Sequence, residues 1–263
     1  MLTDPKIAAK ATVEKVLRLH WWTDKLLTFT TTRPPGYSFA AGQYARLGLR
    51  DANGVVWRAY SMVSSPAQEF LEFYGVLVPN GLFTTQLKAL QEGDGILVEK
   101  QCYGFMTPDR FADGEDLWMI ATGTGVGPFI SMLRDPYVWR KFRNLILVHG
   151  VRHAEELAYR DELMSYVRKA PFDASSRLQL VRAVTRDAAA GQDPQLLQGR
   201  VTTLFEQGAL EKAAALPVTD SASRFMMCGN PDMIEDMRKL LHARGMRPVR
   251  RALPGHFVTE NYW

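Results

Sequence analysis

The first 110 residues form short segments in which apolar and polar positions alternate, with many β-branched and aromatic side chains. Such alternation predicts strands, and turn sequences rich in Gly, Pro, Asn and Asp separate them. One helix is predicted near residues 84–90. Many short strands at even spacing favour an antiparallel barrel or sandwich. The predicted strands cover residues 11–22, 26–33, 43–50, 55–63, 70–78 and 93–100.

The pattern changes after residue 110, where apolar runs of strand type alternate with helical stretches. This alternation predicts βαβ units and a parallel sheet with helices on both faces. We place the boundary within residues 108–116, which gives domains of residues 1–110 and 111–263. Gly245 suits the position just after the last helix. The predicted strands cover residues 117–121, 145–149, 178–184 and 224–228, with a final strand near 248–253.

Composition narrows the class of protein. The 263 residues are 46% apolar and carry a net charge of +4, which is compatible with anionic ligands or an acidic protein partner. The two cysteines lie far apart, so neither a disulfide framework nor a four-cysteine iron–sulfur cluster is expected. The N-terminus lacks an apolar signal segment, and no run of about 18 apolar residues occurs. We therefore expect a cytoplasmic protein without membrane insertion, a metal site or a nucleic-acid surface.

A glycine-rich turn, "GTGVGP" at residues 123–128, directly follows the first strand of the second domain. Gly123, Gly125 and Gly127 remove side chains where the chain turns from strand to helix, and free N–H groups there attract a pyrophosphate. The spacing is G-x-G-x-G-P, which differs from the dinucleotide fingerprint G-x-G-x-x-G. A tight strand-to-helix turn without a ligand is an equally good interpretation of this motif alone.

Three arginines lie just past the ends of predicted elements in the second domain: Arg152, Arg186 and Arg200. Open α/β sheets bind ligands at the carboxyl ends of their strands. Guanidinium groups there suit a phosphate outside the pyrophosphate, because their fork of donors matches phosphate oxygens. This arrangement favours a 2′-phosphate and therefore NADP, although any single one of these arginines is more often a solvated surface residue.

Six motifs in order resemble the ferredoxin–NADP reductase family, most closely its bacterial branch. They are "RAYS", "GLFTTQL", "GTGVGPF", "VHGVRHAEELAYRDEL", "MMCGNPDM" and "ENYW", and they cover nearly the whole chain. The resemblance implies an FAD-binding antiparallel β-barrel followed by an α/β parallel-sheet NADP-binding domain, with the C-terminal tail returning to the flavin. It also implies an oxidoreductase that exchanges hydride with NADP(H) and single electrons with ferredoxin or flavodoxin.

The resemblance assigns roles to individual residues. Arg58 would neutralise the FAD pyrophosphate, Tyr60 would cover one flavin face, and Ser61 would lie near flavin N5. Positions expected to touch FAD are Arg58, Ala59, Tyr60, Ser61, Tyr74, Gly75, Val76, Thr84, Thr85, Thr124, Tyr262 and Trp263. Positions expected to touch NADP are Gly123, Thr124, Gly125, Arg152, Thr185, Arg186, Arg200 and Asp232. Ser61, Cys228, Glu260 and Tyr262 are the expected catalytic residues.

Three alternatives stay open at this point. The chain could be the reductase component of an oxygenase, although such chains commonly carry an iron–sulfur domain. It could be an electron-transfer subunit of a larger redox complex, or a nucleotide-binding module without redox chemistry. A monomer is expected in the main interpretation, with NADP(H) and FAD as cofactors.

Overall fold

We analysed a computed structural model, which describes residues 4–52, 54–187, 196–250 and 253–261. Tyr262 and Trp263, expected at the flavin, lie outside these residues. The first domain is a six-stranded antiparallel sheet in the order β4-β3-β6-β1-β2-β5. Its strands are β1 Ala11–Trp21, β2 Leu26–Thr32, β3 Tyr44–Asp51, β4 Gly54–Ser61, β5 Phe70–Val76 and β6 Gly95–Tyr103. Helix α1 Pro5–Lys10 precedes the sheet, and helix α2 Leu82–Ala89 connects β5 to β6.

The two edge strands of this sheet meet and close it. A bridge pairs Met62, just past β4, with Phe73 of β5, and the Val63 N–H donates to the Glu72 carbonyl at 2.8 Å. Alternate side chains point inward, where Phe29 and Phe73 are fully buried at the centre of the core. The predicted antiparallel barrel is therefore confirmed.

The second domain is a six-stranded parallel sheet in the order β10-β9-β8-β7-β11-β12. Helices cover both of its faces with their apolar sides, as the continuous apolar strands require. The strands are β7 Asp116–Thr122, β8 Asn144–Val151, β9 Arg177–Val184, β10 Leu196–Gln198, β11 Ser223–Gly229 and β12 Phe257–Asn261. The helices are α3 Gly127–Leu133, α4 Pro136–Lys141, α5 Arg160–Arg168, α6 Val201–Glu206, α7 Ala209–Ala214 and α8 Pro231–Ala243.

The final strand lies later in the chain than the sequence predicted. Of the predicted residues, 248–250 and 253 are described, and among them Pro248, Arg250 and Leu253 make only isolated bridges. Strand β12 begins at Phe257 and pairs in parallel with β11. Burial explains the difference, because Phe257 is 1% exposed whereas Leu253 is 59% exposed and packs no core face. Gly245 does follow the last helix, with a φ of +77° that suits a residue without a side chain.

A buried ionic network joins the two domains. The Arg134 guanidinium, just after α3, donates to Glu72 of the barrel at 3.1 Å and to Glu162 of α5 at 2.7 Å. The Tyr159 hydroxyl donates to the other Glu72 oxygen at 2.8 Å and lies 2.6 Å from the Thr28 hydroxyl. Side chains of both domains belong to one continuous hydrophobic cluster around this network.

We expect Arg134→Met to destabilise the protein by about 3–5 kcal/mol, because it leaves two carboxylates of a buried network without their cation. The matched control is Lys239→Met, which removes the Lys239–Glu235 pair on α8, where both side chains are about two-thirds exposed. Exposed pairs contribute little, so this variant should unfold close to the wild-type urea concentration. Equal midpoints for the two variants would contradict the importance of the buried network.

Candidate functional site

The site lies where the strand order of the parallel sheet reverses. From β7 the chain continues to β8 on one side and later returns to β11 on the other side. Such a switch point leaves a crevice at the carboxyl ends of the two central strands, where α/β proteins bind ligands. The glycine turn, a 3-10 helix at Gly123–Val126, follows β7, and Cys228 lies near the end of β11.

Glycine is favoured in this region for two separate physical reasons. Gly123 has a φ of +55°, which favours glycine, and open space surrounds its α-carbon. A side chain at Gly125 would collide with the Cys228 carbonyl oxygen, and one at Gly229 would collide with Thr122. Close approach of the turn to the end of β11 therefore requires the second glycine. Gly125 is not among the residues that line the cavity over these strand ends and has a packing role against Cys228, while its contact with NADP stays a prediction.

A cavity of about 610 Å³ opens over the carboxyl ends of the strands. Its walls come from the turn after β7 and from the segments that follow β8, β9, β10 and β11. Seven of the residues predicted for NADP line it: Gly123, Thr124, Arg152, Thr185, Arg186, Arg200 and Asp232.

The arginines of this cavity lie close in the fold although they are distant in sequence. The Arg186 N–H donates to the Arg152 carbonyl at 2.8 Å, so these two residues are neighbours at adjacent strand ends. Arg200 precedes α6 at the end of the β10 segment. All three side chains are exposed, and none makes a side-chain hydrogen bond or ion pair with the part of the chain that the structure describes. Their donors are thus available to an anionic ligand.

A second cavity of about 320 Å³ lies between the barrel and the glycine turn. It shares two wall residues, Val76 and Thr124, with the larger cavity. Nine of the residues predicted for FAD line it: Arg58, Ala59, Tyr60, Ser61, Tyr74, Gly75, Val76, Thr84 and Thr124.

The wall of the smaller cavity suits a flat ring with polar edges. The Tyr60 ring packs against Phe83 at 5.4 Å between centroids and lies across Gly75, where a β-carbon would approach its ring to 2.9 Å. The Ser61 and Tyr74 hydroxyl oxygens are buried and have no hydrogen-bond partner in the described part of the chain. Buried polar atoms are nearly always partnered, so these two are suited to an isoalloxazine ring.

Some of the hydrogen-bond donors at the mouth of this cavity are available to a ligand. The Arg58 guanidinium is exposed and donates to the Trp57 carbonyl at 2.8 Å. The first N–H groups of α2 have no acceptor within their helix, and Thr84 lies among them. The Thr85 N–H donates to the Gly81 carbonyl at 2.9 Å as part of the helix, and its expected contact with a phosphate stays a prediction.

Glu260 and Cys228 lie side by side on the paired strands β12 and β11. Cys228 is fully buried and is not in a disulfide. One Glu260 oxygen is buried without a partner in the described part of the chain, and Gly104 leaves room for the other oxygen. Burial raises the pKa of Glu260 from its ordinary value of 4.5 to about 7. This carboxyl can therefore hold or release a proton near neutral pH.

Sequence reasoning missed several residues of this region. His149 of β8 is 1% exposed, and its Nε2 lies 3.1 Å from the Gly123 carbonyl oxygen. Asn230 is the N-cap of α8, and its side chain accepts from the Asp232 N–H at 2.9 Å, a cap that the Asn-Pro sequence could have predicted. A single histidine within an apolar strand gives no such signal.

An antiparallel barrel and a parallel sheet whose cavities share a wall are typical of two-domain oxidoreductases of the flavin and nicotinamide class. A family model described as an oxidoreductase NAD-binding domain matches residues 119–239. The chain is 42% identical to a flavodoxin/ferredoxin–NADP reductase of Shigella flexneri, over 95% of this chain and 97% of that protein. It is 37% identical to ferredoxin–NADP reductase A of Sorangium cellulosum, over 95% of this chain and 89% of that protein.

A solved structure is similar over the whole fold. It is a ferredoxin NADP⁺ reductase from Neisseria gonorrhoeae with bound FAD and NADP, at a TM-score of 0.90 and 36% identity. The superposition covers 97% of this chain and 99% of that one. The chain belongs to the ferredoxin–NADP reductase family, and the resemblance drawn from its motifs is confirmed.

Two features are absent from the described residues. None of their helices combines the length and apolar character needed to span a bilayer. They also contain no group of three or more His, Cys, Asp or Glu side chains arranged to hold a metal ion.

We expect the stability of the wild type, relative to Glu260→Gln, to fall as the pH rises from about 4.5 to about 7. The native state holds the Glu260 proton more tightly than the unfolded chain, so ionisation above its ordinary pKa favours unfolding. Above the raised pKa the difference should become constant. Thermal midpoints of both proteins at pH 5 and pH 8 test this.

Glu235→Gln is the matched control for that comparison. Glu235 is exposed on α8, and its hydrogen bond to Lys239 lowers the pKa of its carboxyl. Its stability difference from wild type should therefore stay level above pH 5. A level difference for Glu260→Gln as well would mean that the Glu260 carboxyl is solvated.

Proposed function

We propose that the smaller cavity binds FAD and the larger cavity binds NADP(H), and that the chain couples hydride exchange to single-electron exchange with ferredoxin or flavodoxin. The observation that carries this proposal is the common wall of the two cavities at Val76 and Thr124. A ring in each cavity would meet the other at that wall. When bound, the flavin supplies the hydride and single-electron chemistry, and the protein supplies binding, orientation and electrostatics.

On the barrel side, the proposed roles follow from the chemistry of each wall residue. Tyr60 stacks on one flavin face, and the Ser61 and Tyr74 hydroxyls bond to its polar edge. Arg58 pairs with the FAD pyrophosphate, supported by N–H groups at the start of α2. Backbone groups of three further residues frame the ring: Ala59, Gly75 and Val76.

On the α/β side, the Thr124 N–H meets the NADP pyrophosphate at the glycine turn. The three exposed arginines surround the 2′-phosphate, because guanidinium groups bind phosphate with two parallel hydrogen bonds. This set selects NADP(H) over NAD(H). Thr185 and Asp232 line the same cavity and bind the remaining polar groups of the nucleotide.

Glu260 and Cys228 complete the catalytic end of the site. The Cys228 carbonyl lies against the glycine turn, and this residue is placed beside the nicotinamide. Glu260 holds a proton on its buried oxygen and exchanges it as the charge of the neighbouring ring changes. Ser61 lines the smaller cavity on the barrel side, where bound rings would exclude water from the path of the hydride.

The carriers are inferred from the names of the relatives, which are ferredoxin–NADP and flavodoxin/ferredoxin–NADP reductases. The excess of basic residues, +4 in total, suits an acidic carrier. The monomeric state and the cytoplasmic location stay predictions from the sequence.

We expect Arg58→Ala to weaken FAD binding by about one to two orders of magnitude. A hydrogen bond to a charged group contributes roughly 1.5–3 kcal/mol, and each 1.4 kcal/mol is about tenfold in affinity. Dissociation constants from flavin fluorescence of the refilled apoprotein would measure the loss. Arg46→Ala, on the neighbouring strand β3, is the matched control and should retain FAD. Full retention by Arg58→Ala would remove this residue from the FAD site.

We expect the wild type to reduce ferredoxin or flavodoxin with NADPH far better than with NADH. Arg152→Ala should lower kcat/KM for NADPH by about 10- to 100-fold, through the loss of a charged hydrogen bond, and leave that for NADH nearly unchanged. Arg140→Ala is the matched control, because Arg140 lies on α4 before β8 begins, at the opposite edge of the sheet. Equal use of both nucleotides by the wild type would overturn the NADP assignment.

A further inference from the structure

His149 lies beneath the glycine turn and has no role in the chemistry proposed above. It belongs to β8, in register with Ala121 of β7, and its side chain is 1% exposed. Its Nε2 lies 3.1 Å from the carbonyl oxygen of Gly123. A carbonyl oxygen only accepts hydrogen bonds, so the imidazole carries its proton on Nε2 and donates it to Gly123.

The peptide bond after Gly123 makes this contact relevant to the cavities. In a trans peptide the carbonyl of one residue and the N–H of the next point in opposite directions. When His149 holds the Gly123 carbonyl toward the sheet, the Thr124 N–H must point away from the sheet. Thr124 lines both cavities, and in this orientation its N–H would face them.

Besides the His149 contact, the 3-10 turn at Gly123–Val126 holds this peptide, whereas Gly123 itself offers little resistance to its rotation. Gly123 has no side chain, has a φ of +55°, and would have nothing within 4 Å of an added β-carbon. Glycine exchanges readily between backbone conformations of opposite sign. A flipped peptide would aim the carbonyl dipole at the nucleotide pyrophosphate and turn the N–H donor into the protein.

We propose that His149 is a positioning residue that locks the Gly123–Thr124 peptide with its N–H facing the nucleotide pyrophosphate. The proposal rests on NADP(H) occupying the larger cavity. Burial lowers the pKa of His149 to about 4, so the imidazole is neutral throughout the neutral range and its single proton stays in this bond. The lock is therefore permanent under ordinary conditions.

A comparison of two ligands distinguishes this positioning role from a purely structural role of His149. NADP⁺ carries the pyrophosphate, whereas 2′-phospho-AMP carries the 2′-phosphate and has no pyrophosphate. Calorimetric titration of the holoenzyme should show that His149→Leu weakens NADP⁺ about tenfold and leaves 2′-phospho-AMP within about twofold. His149→Gln keeps an N–H donor at similar reach and should restore NADP⁺ binding to within about threefold of wild type. KM for NADPH should rise in His149→Leu more than kcat falls.

Other results would overturn the lock. Equal weakening of both ligands by His149→Leu would indicate a structural residue, and unchanged NADP⁺ binding would show that the peptide is fixed by other contacts. If His149→Leu fails to fold, the amide signal of Thr124 in the wild type decides. A downfield shift on adding NADP⁺, absent with 2′-phospho-AMP, supports the proposal, and no shift overturns it. A wild type that binds neither ligand would overturn the proposed function itself.

Discussion

The guanidinium of Arg134 is the contact on which the arrangement of both cavities depends. It bonds Glu72 on the barrel and Glu162 on the second domain, while Tyr159 bonds the remaining Glu72 oxygen. The Tyr159 ring also packs edge-on against Tyr74, at 5.6 Å, and Tyr74 lines the smaller cavity. The common wall of the cavities has one residue from each domain, Val76 and Thr124, so it exists only while the domains keep this orientation.

The network contributes more to fixing the orientation of the two domains than to the free energy of folding. One cation serves two carboxylates, and the desolvation of such groups offsets most of their attraction. The geometry is nevertheless specific, because Arg134 meets Glu162 through two parallel bonds of 2.7 and 2.8 Å. Apolar side chains around the network would hold the domains together in many orientations. The fork of donors selects one orientation, and that selection sets the separation of two rings bound in the cavities.

The sequence predicted well what depends on local pattern. Alternation identified all six barrel strands, and the βαβ pattern predicted a parallel sheet whose strand ends carry Arg152, Arg186 and Arg200. The order of the barrel strands was not predictable, because β6 pairs with both β1 and β3 through contacts far apart in sequence. Helix α5 begins at Arg160, directly after Tyr159, which has a left-handed φ of +59° and bonds to partners across the interface. Residues that act through distant partners carry no local signal: Glu72 looks like an ordinary polar position in a strand.

The departure of the glycine turn from the dinucleotide fingerprint has a structural explanation. In G-x-G-x-x-G, each glycine serves a turn, a ligand approach or a helix contact. Here a side chain at Gly125 would collide with the Cys228 carbonyl, and a side chain at Gly229 would collide with Thr122. Both glycines therefore allow the ends of β7 and β11 to approach closely at the switch point. Only Gly123 is left with open space around it, and its peptide is the one that His149 contacts from below. The spacing of the glycines is therefore set by the packing of two strand ends, whereas the choice of ligand depends on the side chains at the neighbouring strand ends. That is why a nucleotide site could be expected from arginines at strand ends when the glycine motif alone left the question open.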